Sequence, residues 1–171
     1  MGVVIPLTGI ELPNVGQISF VVEDLSAGMR RFDRSLGPDA FDVYRLEPPF
    51  LEEPTCEGDP VDHGIAIALA DIGETSLELV EPLYGPSIHR DSLEVDGEGF
   101  HHVAVFDFET PRATVDSLRD AGYPPVRTGS FAGTHYWYFD LGDVVDGLYY
   151  EIVTRDRSKP DPHAVYPDDY A

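Results

Sequence analysis

A strand followed by a helix occurs twice in this sequence at a fixed spacing, and this repeat limits the fold more than any other feature. The segment 16–37 opens with alternating polar and apolar residues and continues with the apolar stripe of a helix. The segment 101–122 has the same pattern, and it follows at an offset of 85 positions, so that His102 corresponds to Gln17. A repeat in register predicts two copies of one structural unit.

Three further strands follow each helix, so the predicted unit is βαβββ and the fold class is α+β. The predicted strands lie at 40–46, 63–71 and 75–82 in the first copy and at 124–129, 134–142 and 147–154 in the second. Proline-rich and acidic stretches at 47–62 and 81–99 are expected to be loops. We divide the chain into a lead (1–14), two βαβββ modules (15–92 and 93–154) and an extended tail (155–171), which is either disordered or wrapped onto a partner.

Composition excludes several classes of partner. The formal net charge is −21, which repels nucleic acid and anionic membranes. No apolar run approaches the roughly 18 residues of a membrane span, and the N-terminus lacks the pattern of a signal peptide. The single cysteine, Cys56, excludes an internal disulfide. We therefore expect a cytoplasmic protein.

Four polar residues interrupt apolar strands at equivalent places in the two copies. Gln17 and His102 lie on the first strands, and Glu78 and Glu151 lie between hydrophobic residues on the last strands. Buried carboxylates that converge repel one another, and a divalent cation offsets that repulsion. Imidazole, carboxylate and amide ligands suit Mn, Fe, Co, Ni, Zn or Mg. Each residue alone also fits an ordinary strand position, but their joint placement favours a metal site.

The adjacent histidines at 101 and 102 receive different roles. Neighbouring side chains of a strand point to opposite faces, so we expect His102 to face the metal and His101 to face away, as a packing residue or a support for the ligands. The other histidines at 63, 89 and 163 lie in or beside predicted loops or in the tail and are expected to be solvated.

The strand–helix opening and three segments, LELVEPL, GEGFHHVAV and YYEIV, resemble the vicinal oxygen chelate superfamily. That group includes glyoxalase I, methylmalonyl-CoA epimerase, extradiol dioxygenases and bleomycin-resistance proteins. The resemblance covers about residues 15–154 and implies that the two modules form a half-open mixed β-barrel around one metal ion. By position, it implies the ligands Gln17, Glu78, His102 and Glu151.

Several residues differ from those that known members of this superfamily use, and these differences argue against the substrates of those members. Glyoxalase I carries glutathione-binding arginines where this chain has Val21 and Glu98, and an asparagine where it has Pro82. The epimerase carries a catalytic glutamate where this chain has Ile67, and extradiol dioxygenases use two histidine ligands, of which only His102 matches. A glutathione-dependent lyase, the epimerase reaction and oxygen chemistry are therefore disfavoured.

The expected pocket is apolar and aromatic and lacks the basic residues that a CoA or phosphate group needs. We assign Ile67, Trp137 and Phe139 to its lining; the opposite phase of the same strand would instead place Tyr136 and Tyr138 there.

The ligand set that the resemblance implies supports stabilisation of an enolate, with a divalent ion that chelates two adjacent substrate oxygens. Glu151 or Glu78 is expected to act as the base after leaving the ion, and His135 is a second candidate. The predicted function is a glyoxalase-like isomerase, epimerase or lyase with a small, fairly apolar oxygenated substrate. The alternative is a metal-free binding protein of the bleomycin-resistance type, whose acidic surface and aromatic cavity suit a cationic drug. The oligomeric state stays open at this point, and the resemblance makes a homodimer one expectation because paired-module members of this family often dimerise.

Overall fold

The two predicted copies are present in the computed structural model, which describes residues 15–38, 40–106, 111–142, 147–154 and 160–170. The first copy comprises β1 (Gln17–Val21), α1 (Leu25–Leu36), β2 (Phe41–Leu46), β3 (Leu51–Cys56), β4 (Asp59–Pro60), β5 (Gly64–Ile72) and β6 (Thr75–Tyr84). After α2 (Ile88–Asp96), the second comprises β7 (Gly99–Val105), α3 (Pro111–Asp120), β8 (Arg127–Phe131), β9 (Thr134–Asp140) and β10 (Tyr149–Val153), and β11 (Ala164–Tyr166) follows.

The strands of the described residues form one mixed sheet in the order β11-β2-β5-β6-β1-β7-β10-β9-β8-β3-β4. In each copy the first strand pairs in parallel with the last, as β1 does with β6 and β7 with β10. The copies join through the antiparallel pair β1–β7 at the centre of the sheet. This arrangement confirms the α+β class and the half-open barrel built from two modules.

Helices cover one face of each copy and fill separate cores. Asp24 caps α1 by accepting a hydrogen bond from the backbone N–H of Ala27 at 2.7 Å, and Gly37 ends the helix with a φ of 62°. Met29 is fully buried in the first core, whereas Leu36 is 53% exposed, so the apolar stripe of α1 does not extend to its last turn. Val115 and Leu118 of α3 pack in the second core.

Both stretches predicted as loops contain regular structure, and those predictions were wrong. The stretch 47–62 holds the β3–β4 hairpin, which pairs with β8 of the other copy. The stretch 81–99 holds the end of β6 and all of α2, so the expected module boundary at residues 92 and 93 falls inside a helix. Ser87 caps α2 by accepting from the N–H of Arg90. Proline and acidic content obscured these elements, because long-range pairing and a local cap outweigh composition.

The tail contributes to the sheet of its own chain. Ala164–Tyr166 pairs antiparallel with β2, and the Tyr166 ring lies edge-on to Phe41 with centroids 6.0 Å apart. The predicted lead at 1–14 and residues 155–159 of the tail lie outside the described residues. None of the helices in the described ranges is both long and apolar enough to cross a membrane.

Candidate metal centre

The repeat brings the four predicted ligands to the junction of the two copies. In the β1–β7 pair, Ser19 lies opposite His102 and Gln17 lies opposite Ala104. The four predicted ligands are all at least nine-tenths buried: Gln17, Glu78, His102 and Glu151. Among them, Gln17, Glu78 and Glu151 line a cavity of about 790 Å³ that the curled sheet encloses.

His102 lies between the two glutamates. Its Nε2 atom is 3.2 Å from Oε2 of Glu78 and 3.3 Å from Oε2 of Glu151. Burial disfavours the charged imidazole, but the two neighbouring carboxylates, of Glu151 and Glu78, outweigh it and raise the pKa of His102 to about 9. Burial also raises the pKa of Glu151. The three groups therefore hold a positive charge at this point, either a proton or a metal ion.

His101 does not face away from His102, and that prediction was wrong. Phe20 pairs with Phe100 and Ser19 with His102, so His101 has no partner on β1 and the register shifts between Ser19 and Phe20. Such a bulge interrupts the strict alternation of side chains. As a result the Nδ1 atoms of His101 and His102 are 2.9 Å apart, and both imidazoles are buried.

The two imidazoles and one carbonyl form a chain that selects the tautomer of His102. Nε2 of His101 lies 3.4 Å from the carbonyl oxygen of Ile88, which only accepts, so this nitrogen carries the proton. Burial, and next the charge of His102, lower the pKa of His101 to about 3, so its Nδ1 is a free acceptor. His102 then donates from Nδ1, so Nε2 is the nitrogen that faces the two glutamates, and its lone pair becomes available to an ion when the proton there is lost.

The types of donor atom suit a divalent ion, and His102 is the point at which two of them come close to a third. Two ligands at about 2.1 Å from one ion lie roughly 3 Å apart, close to the separations at His102. Oε2 of Glu78 and Nε2 of His102 are both buried and lack hydrogen-bond partners among the described residues. One imidazole, two carboxylates and the amide oxygen of Gln17 suit the mid-to-hard ions.

The face of β9 that lines the cavity is the opposite face from the one that the preferred prediction placed there. Glu151 lies opposite Tyr138 in the β9–β10 pair, and directly opposed residues share a face of the sheet. Tyr138 and Tyr136 therefore line the cavity. Trp137 and Phe139 pack in the second core, so their assignment to the pocket was wrong.

Of the other predicted site residues, one lies at the cavity and one does not. Ile67 of β5 lines it. His135 lies on the other face of β9 with Trp137, its ring centroid 6.0 Å from the indole, and is not among the lining residues. The sequence analysis assigned the alternate residues of β9 to the wrong faces of the strand. This error misplaced His135 together with Trp137.

His89, expected to be solvated, is fully buried at the cavity wall. Its ring stacks on His101 with centroids 4.5 Å apart, and within the described part of the chain neither ring nitrogen has a hydrogen-bond partner. Burial lowers the pKa of His89. Nitrogens of His89, His101 and His102 lie within 4.8 Å of one another. In the sequence, the Pro-Ser pair before α2 indicates that His89 lies in a helix and not in a loop, because Ser is a preferred N-cap.

His63 and Arg127 overturn two further expectations. His63 is fully buried rather than solvated, and Nδ1 of this ring accepts from Arg127 at 2.9 Å. Arg127, the first residue of β8, is 2% exposed and lines the cavity, which therefore does contain a basic residue. Nothing in the local pattern PPVRTG distinguishes this arginine from an exposed one. His163, also expected to be solvated, is exposed.

A half-open barrel of two βαβββ copies with a candidate metal site at their junction defines the class of protein. The sequence profile of the Glyoxalase/Bleomycin resistance protein/Dioxygenase superfamily matches residues 16–139. The chain belongs to this superfamily. A search of curated proteins finds no match.

Solved structures share the fold at low identity. A variant of Streptomyces coelicolor methylmalonyl-CoA epimerase in complex with 2-nitronate-propionyl-CoA is 22% identical with a TM-score of 0.64, covering 88% of this chain and 99% of that chain. Methylmalonyl-CoA epimerase from Mycobacterium tuberculosis is 21% identical with a TM-score of 0.58, covering 83% and 87%. A mutant 4-hydroxymandelate synthase from Streptomyces coelicolor is 13% identical with a TM-score of 0.59, covering 88% and 50%.

Proposed function

We propose that this chain is a glyoxalase-like metalloenzyme, an isomerase, epimerase or lyase, that uses one divalent ion to stabilise the enolate of a small oxygenated substrate. The observation that carries the proposal is the position of His102, whose Nε2 lies 3.2 and 3.3 Å from two glutamate oxygens beside a large cavity. The membership of the superfamily supports it. Gln17, Glu78, His102 and Glu151 would hold the ion. Bound there, the ion would supply Lewis acidity toward a substrate carbonyl.

In this reaction, the glutamates of the cavity accept the proton and its apolar side chains exclude water. The proton α to the carbonyl passes to a carboxylate oxygen of Glu151 or Glu78, since both lie at the cavity wall. Glu151 is the better placed of the two because the Tyr138 phenol interacts with it and holds the carboxylate in position. Apolar side chains such as Ile65, Ile67 and Val80 exclude water from the other side.

Metal content tests the proposal directly. We expect about one ion per chain after mild purification, and a rise in the melting temperature of the stripped protein when Mn, Co, Ni or Zn is added. Glu78→Gln and Glu151→Gln should each weaken metal binding about tenfold or more, whereas Glu94→Gln, a substitution of an exposed residue on α2, should not. Less than about a tenth of an ion per chain, with no thermal shift, would contradict the metalloenzyme.

An assay of proton exchange distinguishes a residue that acts as the base from one that only binds the ion. Stripped and reloaded protein should exchange the α-proton of a 2-oxo or 2-hydroxy carbonyl compound for deuterium, as measured by NMR. Glu151→Gln should lose the exchange even at metal concentrations that saturate the weakened site. A Glu151→Gln variant with full metal content and full exchange would remove Glu151 as the base.

A metal-free drug-binding protein is the second candidate, because one proton can replace the ion. His102 with a raised pKa bridges Glu78 and Glu151 without any metal. This alternative predicts that cationic aromatic drugs bind the stripped protein and that divalent ions leave its melting temperature unchanged. Binding of an ion with a matching loss of drug binding would favour the enzyme. The expected homodimer stays a prediction, which sedimentation equilibrium tests.

A further inference from the structure

Arg127 is a buried cation with no anionic partner in the part of the chain that the structure describes. Its side chain lies at the cavity wall on β8, and the residue is 2% exposed. Among the described residues, no carboxylate oxygen lies within 4.0 Å of its guanidinium, and its Nε has no hydrogen-bond partner. A guanidinium removed from water requires a compensating anion or a full set of acceptors, and this one has neither.

The neighbours of Arg127 hold it in place without neutralising it. Both ring nitrogens of His63 lie within hydrogen-bond distance of one terminal nitrogen of Arg127. Burial, and next the charge of Arg127, lower the pKa of His63 to about 3, so this ring is a neutral acceptor. The guanidinium is therefore oriented by His63 and keeps its positive charge.

A second unused donor lies beside the arginine. The hydroxyl of Tyr136 is buried, faces the same cavity and has no hydrogen-bond partner among the described residues. Burial raises the pKa of Tyr136, and the charge of Arg127 and the close approach of its guanidinium to the phenol oxygen lower it in part, which leaves the O–H free to donate. In the register of β8 and β9, Gly129 lies opposite Tyr136, and its missing side chain leaves room for the phenol.

We infer that Arg127 and Tyr136 form a binding site for the carboxylate of the substrate. Both groups donate, one carries a charge, and both line the cavity that Glu78 and Glu151 also line, with Arg127 two strands away from Glu151 through Tyr138. Arg127 is the only arginine or lysine among the described residues that line this cavity, which suits a monoanion better than a phosphate or a CoA ester. The substrate class is then a small carboxylic acid with a second oxygenated group. The position of that second group at the metal rests on the proposed function.

Benzoate and its neutral isostere benzamide test this site in the full-length chain, both loaded with Mn²⁺ and stripped by chelation. Calorimetry should show benzoate binding at least about tenfold more tightly than benzamide in both states, since one charge-assisted hydrogen bond accounts for that ratio. Arg127→Met should abolish the preference. Arg45→Met, which removes the same charge from an exposed residue paired with Glu47, should keep it.

A second variant, the metal content and the melting temperature test whether the effect of Arg127→Met comes from a lost binding site. Tyr136→Phe should weaken benzoate a few-fold and leave benzamide unchanged. Arg127→Met should keep the metal content of the wild type and should not lower the melting temperature of the ligand-free protein, because it removes an uncompensated buried charge. A marked loss of melting temperature would indicate a structural arginine and overturn the inference.

The remaining outcomes each decide between the two proposals. Equal affinity of the wild type for benzoate and benzamide overturns the carboxylate site, as does inorganic phosphate bound as tightly as benzoate through Arg127. A wild type that binds no Mn²⁺ but keeps an Arg127-dependent preference for benzoate supports the site and contradicts the metalloenzyme. A wild type that binds Mn²⁺ but shows no Arg127-dependent preference for benzoate supports the metalloenzyme and contradicts the carboxylate site.

Discussion

The imidazoles of His101 and His102 contact each other through Nδ1 atoms 2.9 Å apart, although the residues are adjacent on one strand. The bulge in β7 brings them to the same side, and the carbonyl of Ile88 at the start of α2 orders the pair. The tautomer of the predicted metal ligand thus depends on a residue that is not itself a ligand.

His101→Phe should weaken metal binding about 10- to 100-fold without unfolding the chain. Phenylalanine keeps the stacking against Tyr149, whose ring centroid is 5.0 Å from that of His101, but it offers no acceptor to Nδ1 of His102. Titration with Mn²⁺ or Co²⁺ followed by calorimetry measures the loss. Tyr149→Phe is the matched control and should bind metal normally. An affinity within about twofold of the wild type would remove His101 from the site.

Buried neutral histidines should make the protein less stable as the pH falls below about 6.5. The unfolded chain protonates His63 near its ordinary pKa of 6.5, whereas the folded chain keeps it neutral down to about 3. The unfolded state therefore binds more protons in this window, and the free energy of unfolding decreases with falling pH. His63→Gln should reduce the loss between pH 6.5 and 5 by roughly 2 kcal/mol.

Urea denaturation at several pH values measures this slope. His163→Gln, at an exposed position, should leave the slope unchanged. His101 and His89 contribute in the same direction, so a residual slope is expected in His63→Gln. An unchanged slope in that variant would mean that His63 is already charged in the folded protein.

Gly129→Ala should destabilise the protein by about 1–3 kcal/mol, because the new methyl group collides with the Tyr136 ring. A Cβ atom at position 129 would lie 2.7 Å from Cζ of Tyr136 and closer still to its hydroxyl. Gly99→Ala is the control, since a Cβ atom there meets nothing within 4 Å. Thermal unfolding of both variants separates the outcomes; equal melting temperatures would show that the phenol moves aside without cost.

Ser87→Ala should destabilise α2 and, through it, the histidine cluster. Ser87 Oγ accepts from the N–H of Arg90 at 3.1 Å, and the loss of such a cap costs about 1 kcal/mol. Because His89 lies in the first turn of α2, hydrogen exchange at residues 88–91 should accelerate in this variant. Ser117→Ala, at an exposed position on α3, provides the comparison. Exchange that does not change would mean that the tertiary contacts of His89 alone hold the turn.

Most of the architecture was accessible from local patterns. Strand alternation, helix stripes and glycine stops repeat at one offset, and duplicated patterns fold into equivalent units because each copy meets the same local constraints. The same offset paired Gln17 with His102 and placed Glu78 and Glu151 on equivalent strands. His102 comes within 3.3 Å of both glutamates because the two copies meet at β1 and β7.

The rest depended on contacts between segments distant in the sequence. The phase of β9 is set by pairing with β10, the hairpin β3–β4 needs β8 as a partner, and His63 with Arg127 meets across 64 positions. A one-residue bulge brought His101 to the side of His102. Periodicity determined which residues lie on a strand, but only the tertiary structure decided which face of the strand they occupy, because register and bulges arise from packing against a partner.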